Sequence, residues 1–169
     1  MILFRRLPRN ASTSIESVSH QFGAFGILKS RVPLSEYRHL EDWRKIFAVI
    51  RNPYDRVVSM YHWFESWSLS FDGFVESLVE RKGFNDEQLW HTEPQYPYVT
   101  VDGKVAVTLL RFDNLKEEFE KFCETLGMSI ELPHLNKSED KCYYKGYYNT
   151  RTLNLVKEIY EDDFRLLKF

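Results

Sequence analysis

The chain has 169 residues, a net charge of −2 and an aromatic content of 16%. That length predicts a single domain, 1–169, with room for a core, and the aromatics exclude disorder. A charge so near neutral excludes a polybasic nucleic-acid binder. The charge is unevenly spread, however: residues 1–60 hold ten Lys/Arg against five Asp/Glu, a net of +5, leaving −7 for the rest. A basic first half suits an anionic ligand, or is simply helix decoration. Cys123 and Cys142 lack metal-ligand spacing and read as free thiols. No apolar run reaches membrane-spanning length and no signal-peptide core is present, so a cytoplasmic protein without membrane or nucleic-acid partners is expected.

In chain order, Met1-Ile2-Leu3-Phe4 reads as a short strand and Leu7–Ser14, LPRNASTS, as a loop of small and hydroxylated residues. Ile15, Val18 and Phe22 predict a helix beginning near Ser12 or Thr13. Strand, small-residue loop and helix together offer backbone N–H groups and a helix dipole to an anion. Arg9 adds a cation there, and Ser12, Thr13 and Ser14 add hydroxyls. The alternative is a helix with a hydroxylated N-cap. The glycines and lysine of GxxxxGK[ST] are missing, so this is not a Walker A loop.

Phe47-Ala48-Val49-Ile50 is a fully apolar, β-rich run, the pattern of a strand buried on both faces. Asn52 then caps a helix with Pro53 at its first position and Asp55 in its first turn. Val57, Val58, Tyr61 and Phe64 continue on helical spacing. This grammar puts Arg51 at the carboxyl end of a strand, where open α/β sheets bind ligands, with Ser59 on the helix beyond. A cation and a hydroxyl there suit a phosphate; the alternative is a surface arginine beside an ordinary helix. The two sites together suit a ligand with two anionic groups, such as a nucleotide phosphorylated at both ends.

Downstream, Phe71, Phe74, Val75, Leu78 and Val79 form an apolar helical stripe. Trp63, Trp67, Trp90, Tyr96 and Tyr98 are dense enough either to line an acceptor cleft by stacking or to pack a core. Val105–Leu110 reads as a strand, and Leu115–Leu126 as a helix ended by Gly127. Tyr143, Tyr144, Tyr147 and Tyr148 crowd a loop before a last helix whose buried face is Leu153, Val156, Ile159 and Tyr160. The acidic run Glu161-Asp162-Asp163 is expected to be solvated.

These residues resemble the sulfotransferase superfamily, most closely its carbohydrate-type family 2 domain. LPRNASTSI resembles that family's 5′-phosphosulfate loop, and RNPYDRVVSMY resembles its 3′-phosphate motif, with the Arg-to-Ser spacing intact at Arg51 and Ser59. HTEPQ at His91–Gln95, RFDNLKEEFEKF, PHLNKS and YEDDFRLL extend the likeness along nearly the whole chain. The resemblance implies an α/β fold with a three-layer, P-loop NTPase-like core, a small, mostly parallel sheet flanked by helices. It implies transfer of a sulfuryl group from 3′-phosphoadenosine 5′-phosphosulfate (PAPS) to a hydroxyl of a small-molecule or carbohydrate acceptor, leaving 3′-phosphoadenosine 5′-phosphate (PAP), with no metal.

By the same resemblance, Asn10, Ala11, Ser12, Thr13 and Ser14 would hold the 5′-phosphosulfate and Arg51 and Ser59 the 3′-phosphate. Asn136, Lys137 and Ser138 would line the nucleotide pocket. Arg9 takes the place of the family's usual lysine, keeping the charge in a planar fork. Arg31 stands where a catalytic histidine is common, and arginine stays protonated. For the acceptor's base, His91 is placed first; His39 or Glu36 is the alternative; or Arg31 only binds an anionic acceptor. His20, His62 and His134 read as surface, packing and loop residues. The rival functions are a non-catalytic module binding the nucleotide or sulfated ligands, and a P-loop kinase.

Overall fold

A computed structural model describes residues 1–28, 31–37, 45–64, 69–133 and 144–169. The chain forms two compact units, each built from two separate stretches. One comprises Met1–Arg51 and the stretch from Pro97 onward; the other comprises Asn52–Tyr96 and the C-terminal stretch ending at Phe169. Among the described residues no helix is long and apolar enough to cross a membrane.

The first unit holds a four-stranded, all-parallel sheet in the order β2-β1-β3-β6, formed by β1 (Leu3–Arg5), β2 (Gly26–Leu28), β3 (Ile46–Ile50) and β6 (Thr108–Arg111). All five residues of β3 are buried, as the apolar run predicted. In register, Phe4 lies beside Phe47, and Ile50 beside Arg111. Phe4, Phe47 and Val49 face a core completed by Ile15 and Val18 of α1 (Ser12–Phe22) and by Leu115, Phe119 and Cys123 of α5 (Leu115–Thr125). Phe47 is its hub, with ring centroids 4.8 to 5.2 Å from Phe4, Phe25 and Phe122. Truncating such a ring to alanine costs about 3–5 kcal/mol. Burial pushes the Cys123 thiol up to about 11, which makes it an inert core residue. Gly127, at φ 72°, ends α5 as expected, its N–H bonding the Glu124 carbonyl while Met128 N–H bonds that of Cys123.

Two expectations for this unit are corrected. Phe22, read as part of the apolar face of α1, is 55% exposed in the last turn of the helix. The single strand expected over Val105–Leu110 is two. β5 (Lys104–Val105) pairs antiparallel with β4 (Thr100–Val101) across Asp102-Gly103, both at positive φ, and the chain then turns to enter β6. Two central residues with φ > 0 make the tight hairpin whose twist suits its strands.

The second unit is helical. α2 (Pro53–Trp63) is capped by the Asn52 side chain, which accepts from Tyr54 N–H, with Pro53 in the first turn. Val57, Val58, Met60 and Phe64 pack on Phe71, Phe74, Val75 and Leu78 of α3 (Phe71–Glu80) and on Val156 and Tyr160 of the α6 (Thr150–Ile159) region. Val79 leaves the expected stripe, 57% exposed, because the helical period carries it past the buried face. Tyr144, Tyr147 and Tyr148 lean on this core; Tyr143, Trp67, His134 and Cys142 lie outside the described residues.

The acidic run is the main correction here. It opens a further helix, α7 (Glu161–Leu167), and Asp163 is fully buried. Its carboxylate accepts from Gln95 N–H at 2.8 and 2.9 Å, Gln95 Nε2 at 3.2 Å and Tyr96 N–H at 2.8 Å. Burial raises its pKa, and Arg56 and these N–H donors partly offset the rise. Arg56, also buried, donates to the carbonyls of Glu93 at 2.8 Å and His91 at 3.0 Å, and Tyr160 donates to that of Thr92 at 2.8 Å. Residues 91–96, at the end of α4 (Asp86–Thr92) and just beyond, are thus held from both sides by buried polar groups. Asp163→Ala leaves buried N–H groups and the Arg56 charge uncompensated. We expect it to lower unfolding stability by about 3 kcal/mol, measured as a shift of the urea midpoint at constant slope; an unshifted midpoint would show the network to be incidental.

Candidate active site

β1 and β3 are parallel neighbours, so the residues after Arg5 and after Ile50 leave the sheet at the same edge. Two hydrogen bonds join the segments there. Asn10 Nδ2 donates to the Val49 carbonyl at 2.8 Å, and Arg51 Nη1 donates to the Arg9 carbonyl at 3.2 Å. Arg51 also sits over the face of Phe112, its guanidinium carbon 4.1 Å from the ring centroid. Strand-end geometry thus brings Arg9, Asn10 and Arg51 together, as the sequence grammar predicts.

The loop between β1 and α1 is shaped by its backbone. Arg9 and Ala11 both have left-handed φ, 66° and 56°, without being glycine. Left-handed residues spaced through a loop curl successive N–H groups toward one side, the geometry of an anion nest. Ala11 is the N-cap of α1 and makes no side-chain cap bond, so the hydroxylated N-cap is corrected. The Ala11 carbonyl accepts the N–H groups of Ser14 at 3.1 Å and Ile15 at 3.3 Å, closing the first turn. Ser12 donates its hydroxyl to the Leu7 carbonyl at 2.6 Å, which closes the loop on itself. Asn10, Ser12 and Ser14 are buried, Arg9 and Ala11 are half-buried, and Thr13 is exposed. The buried side chains of Asn10 and Ser12 therefore act as struts.

Ser59 lies half-buried on α2, in the second unit. His91, in the last turn of α4, is buried at 8% exposure, its ring stacked on Trp63 at 4.0 Å and 13° and edged by Trp90 at 5.2 Å. Arg31 and Glu36 are exposed, on the segment that follows β2. Asn136, Lys137, Ser138, His39 and the Lys29-Ser30 pair lie outside the described residues.

One residue escaped the sequence reading. Arg5, the last residue of β1, is fully buried on the sheet face opposite Phe4. It donates to the Val32 carbonyl, with its guanidinium carbon 4.8 Å from the Tyr98 ring and 5.7 Å from the Tyr37 ring. Burial pulls its pKa below the ordinary value; Tyr37, by charge and hydrogen bond, and Tyr98 push it back up. Arg5 thereby fastens the segment that carries Arg31 and Glu36 to the sheet. The pair Arg5-Arg6 in sequence carries no sign that one guanidinium points inward.

Fold and sequence identify the chain. Its architecture, a small parallel sheet with flanking helices, is that of a P-loop NTPase-like α/β protein. The pattern described as the sulfotransferase family matches residues 2–169, and the chain belongs to that family. It is 31% identical over 114 residues to an uncharacterised protein of Archaeoglobus fulgidus, an overlap of 64% of this chain and 89% of the relative. Its fold matches mouse sulfotransferase SULT7A1, solved in complex with PAP, with a TM-score of 0.60, at 11% identity over 97% of this chain and 83% of the mouse chain.

The left-handed loop makes a stability prediction. A left-handed conformation costs a residue with a Cβ about 1–2 kcal/mol, and more for a β-branched one. Thermal melts of Ala11→Gly and Ala11→Val should therefore bracket the native chain, glycine at or above it and valine below it by at least about 1 kcal/mol. A valine variant that melts like the native chain would mean the loop does not hold this conformation.

Proposed function

We propose that the chain transfers a sulfuryl group from PAPS to a hydroxyl of a small-molecule acceptor, carbohydrate included. The observation that carries the reading is the hydrogen bond from Arg51 to the Arg9 carbonyl. It joins the arginine of the 3′-phosphate motif to the loop of the 5′-phosphosulfate motif at one sheet edge, and a nucleotide anionic at both ends needs both. Membership of the sulfotransferase family and the fold shared with a PAP complex support it.

In this reading the N–H groups of Ala11 through Thr13 cradle the 5′-phosphosulfate, and Arg9 places its charge beside it. Arg51 takes the 3′-phosphate. The acceptor oxygen attacks sulfur in line, the bond from sulfur to the bridging oxygen breaks, and PAP leaves with the electron pair. Charge builds on the bridging and equatorial oxygens, and fixed N–H donors and guanidinium groups stabilise it without reorganising. Arg31, exposed near that edge, suits an acceptor with its own negative charge.

The acceptor must also lose a proton. His91 is buried in an aromatic cluster, its ring stacked on Trp63 and edged by Trp90. We assign the proton to Glu36, exposed on the segment after β2, whose carboxyl end shares the edge of β1 and β3. A positioned base contributes roughly 10²–10⁴-fold.

Calorimetry with PAP tests the nucleotide site. Charge-assisted hydrogen bonds are worth about 1.5–3 kcal/mol, so Arg51→Ala should bind PAP at least about tenfold more weakly; unchanged affinity would remove Arg51 from the site. Transfer of labelled sulfate from PAPS tests the base. Glu36→Gln should slow turnover by about 10²-fold or more at unchanged PAP affinity, while His91→Gln should mainly lower the melting temperature. The reverse pattern would move the assignment to His91.

A further inference from the structure

Ile50 and Arg111 are register partners on neighbouring parallel strands, so the next residue on each, Arg51 and Phe112, emerge side by side at the edge. Phe112 opens a short 3-10 turn over Phe112–Asn114, and its ring is half-buried against the core of the first unit. The Arg51 guanidinium rests on it at 4.1 Å and donates in its own plane to the Arg9 carbonyl at 3.2 Å. A guanidinium carries five N–H donors in one rigid plane, so a phosphate can be gripped bidentately only from within that plane. The ring contact and the carbonyl bond together hold the guanidinium at two points. A long side chain held this way before binding avoids most of the ordering cost that a loose one incurs on binding.

We propose that Phe112 is a positioning residue for nucleotide selectivity: by holding the plane of Arg51, it sets the preference for adenosine nucleotides phosphorylated at the 3′ position. This rests on Arg51 as the 3′-phosphate contact. Phe112 acts through Arg51 and touches no part of the ligand itself. Its effect is therefore confined to nucleotides that carry the 3′ group.

The test measures PAP and adenosine 5′-phosphate affinities by calorimetry for the native chain, Phe112→Leu, Phe112→Tyr, Arg51→Ala and the Arg51→Ala/Phe112→Leu double variant. Phe112→Leu should weaken PAP binding about fivefold and leave adenosine 5′-phosphate unchanged within twofold. Phe112→Tyr, which keeps a ring face, should restore native affinity. In the Arg51→Ala background the leucine change should have no further effect, because the group it positions is gone. Equal weakening of both nucleotides overturns the proposal, since Phe112 then either stacks on the base or holds the loop as a whole. Undiminished preference for PAP in Phe112→Leu overturns it too. If Arg51→Ala itself leaves PAP affinity unchanged, the fault lies with the reading of Arg51, and the claim for Phe112 falls with it.

Discussion

The hydrogen bond from Asn10 to the Val49 carbonyl ties the loop after β1 to the strand that leads into Arg51. It exists because β1 and β3 are parallel neighbours, and what surrounds the edge depends on that adjacency. Two non-glycine residues are held left-handed in the loop, at about 1–2 kcal/mol each. Strain of that size persists only where neighbouring contacts over-determine the backbone. The Asn10 bond, the Ser12 bond to Leu7 and the Arg51 bond to Arg9 are such contacts, and all three converge within six residues of chain, Leu7–Ser12. A glycine-rich loop attains its shape through conformational freedom; this one attains it through side-chain bracing.

The second unit uses a similar device at a different place. Residues 91–96 have their carbonyls taken by Arg56 and Tyr160 and their amides by Asp163. Burying a carboxylate and a guanidinium costs several kcal/mol per ion unless their hydrogen bonds are satisfied. The bonds observed here link three helices, through Arg56 of α2, the end of α4, and Asp163 of α7. Arg56 is the second arginine of RNPYDR, so one helix carries Ser59 and also pins the HTEPQ stretch. Two of the stretches that resembled a family in sequence are therefore mechanically joined within this unit.

The fold was legible wherever local chemistry suffices to specify it. Four consecutive apolar residues, three of them β-formers, then Asn52-Pro53, mark a strand end and a helix start without tertiary information, and both occur as read. Gly127 after a helical run behaves the same way. Legibility failed wherever a distant partner decides. Nothing near Asp163 in sequence shows that the amides of residues 95 and 96 are waiting for it, so it reads as one more solvated acid. Arg5 reads as half of a basic pair because Tyr37 and Tyr98, which receive it, lie far along the chain. The break between β5 and β6 was hidden by continuous hydrophobicity, while the Asp102-Gly103 turn that pairs β5 with β4 was within reach of a local reading. In the site, the spacing of Arg51 and the character of residues 9–14 were legible. The left-handed N-cap at Ala11 was not, since it is imposed by the bracing and not preferred by alanine.

The basic excess of the first sixty residues illustrates the limit of counting charges. Two of its ten cations, Arg5 and Arg56, are interior and bind backbone carbonyls, so they add little to any field seen from solvent. Arg9 and Arg51 are half-buried at the strand edge, where low-dielectric walls strengthen their pull on an anion relative to bulk water. Position relative to the sheet separates the four, and formal charge does not. An arginine on an outward-running strand end can meet a ligand, while one that alternates onto the opposite face, as Arg5 does one residue after Phe4, becomes part of the scaffold that holds the segment after β2 on the sheet.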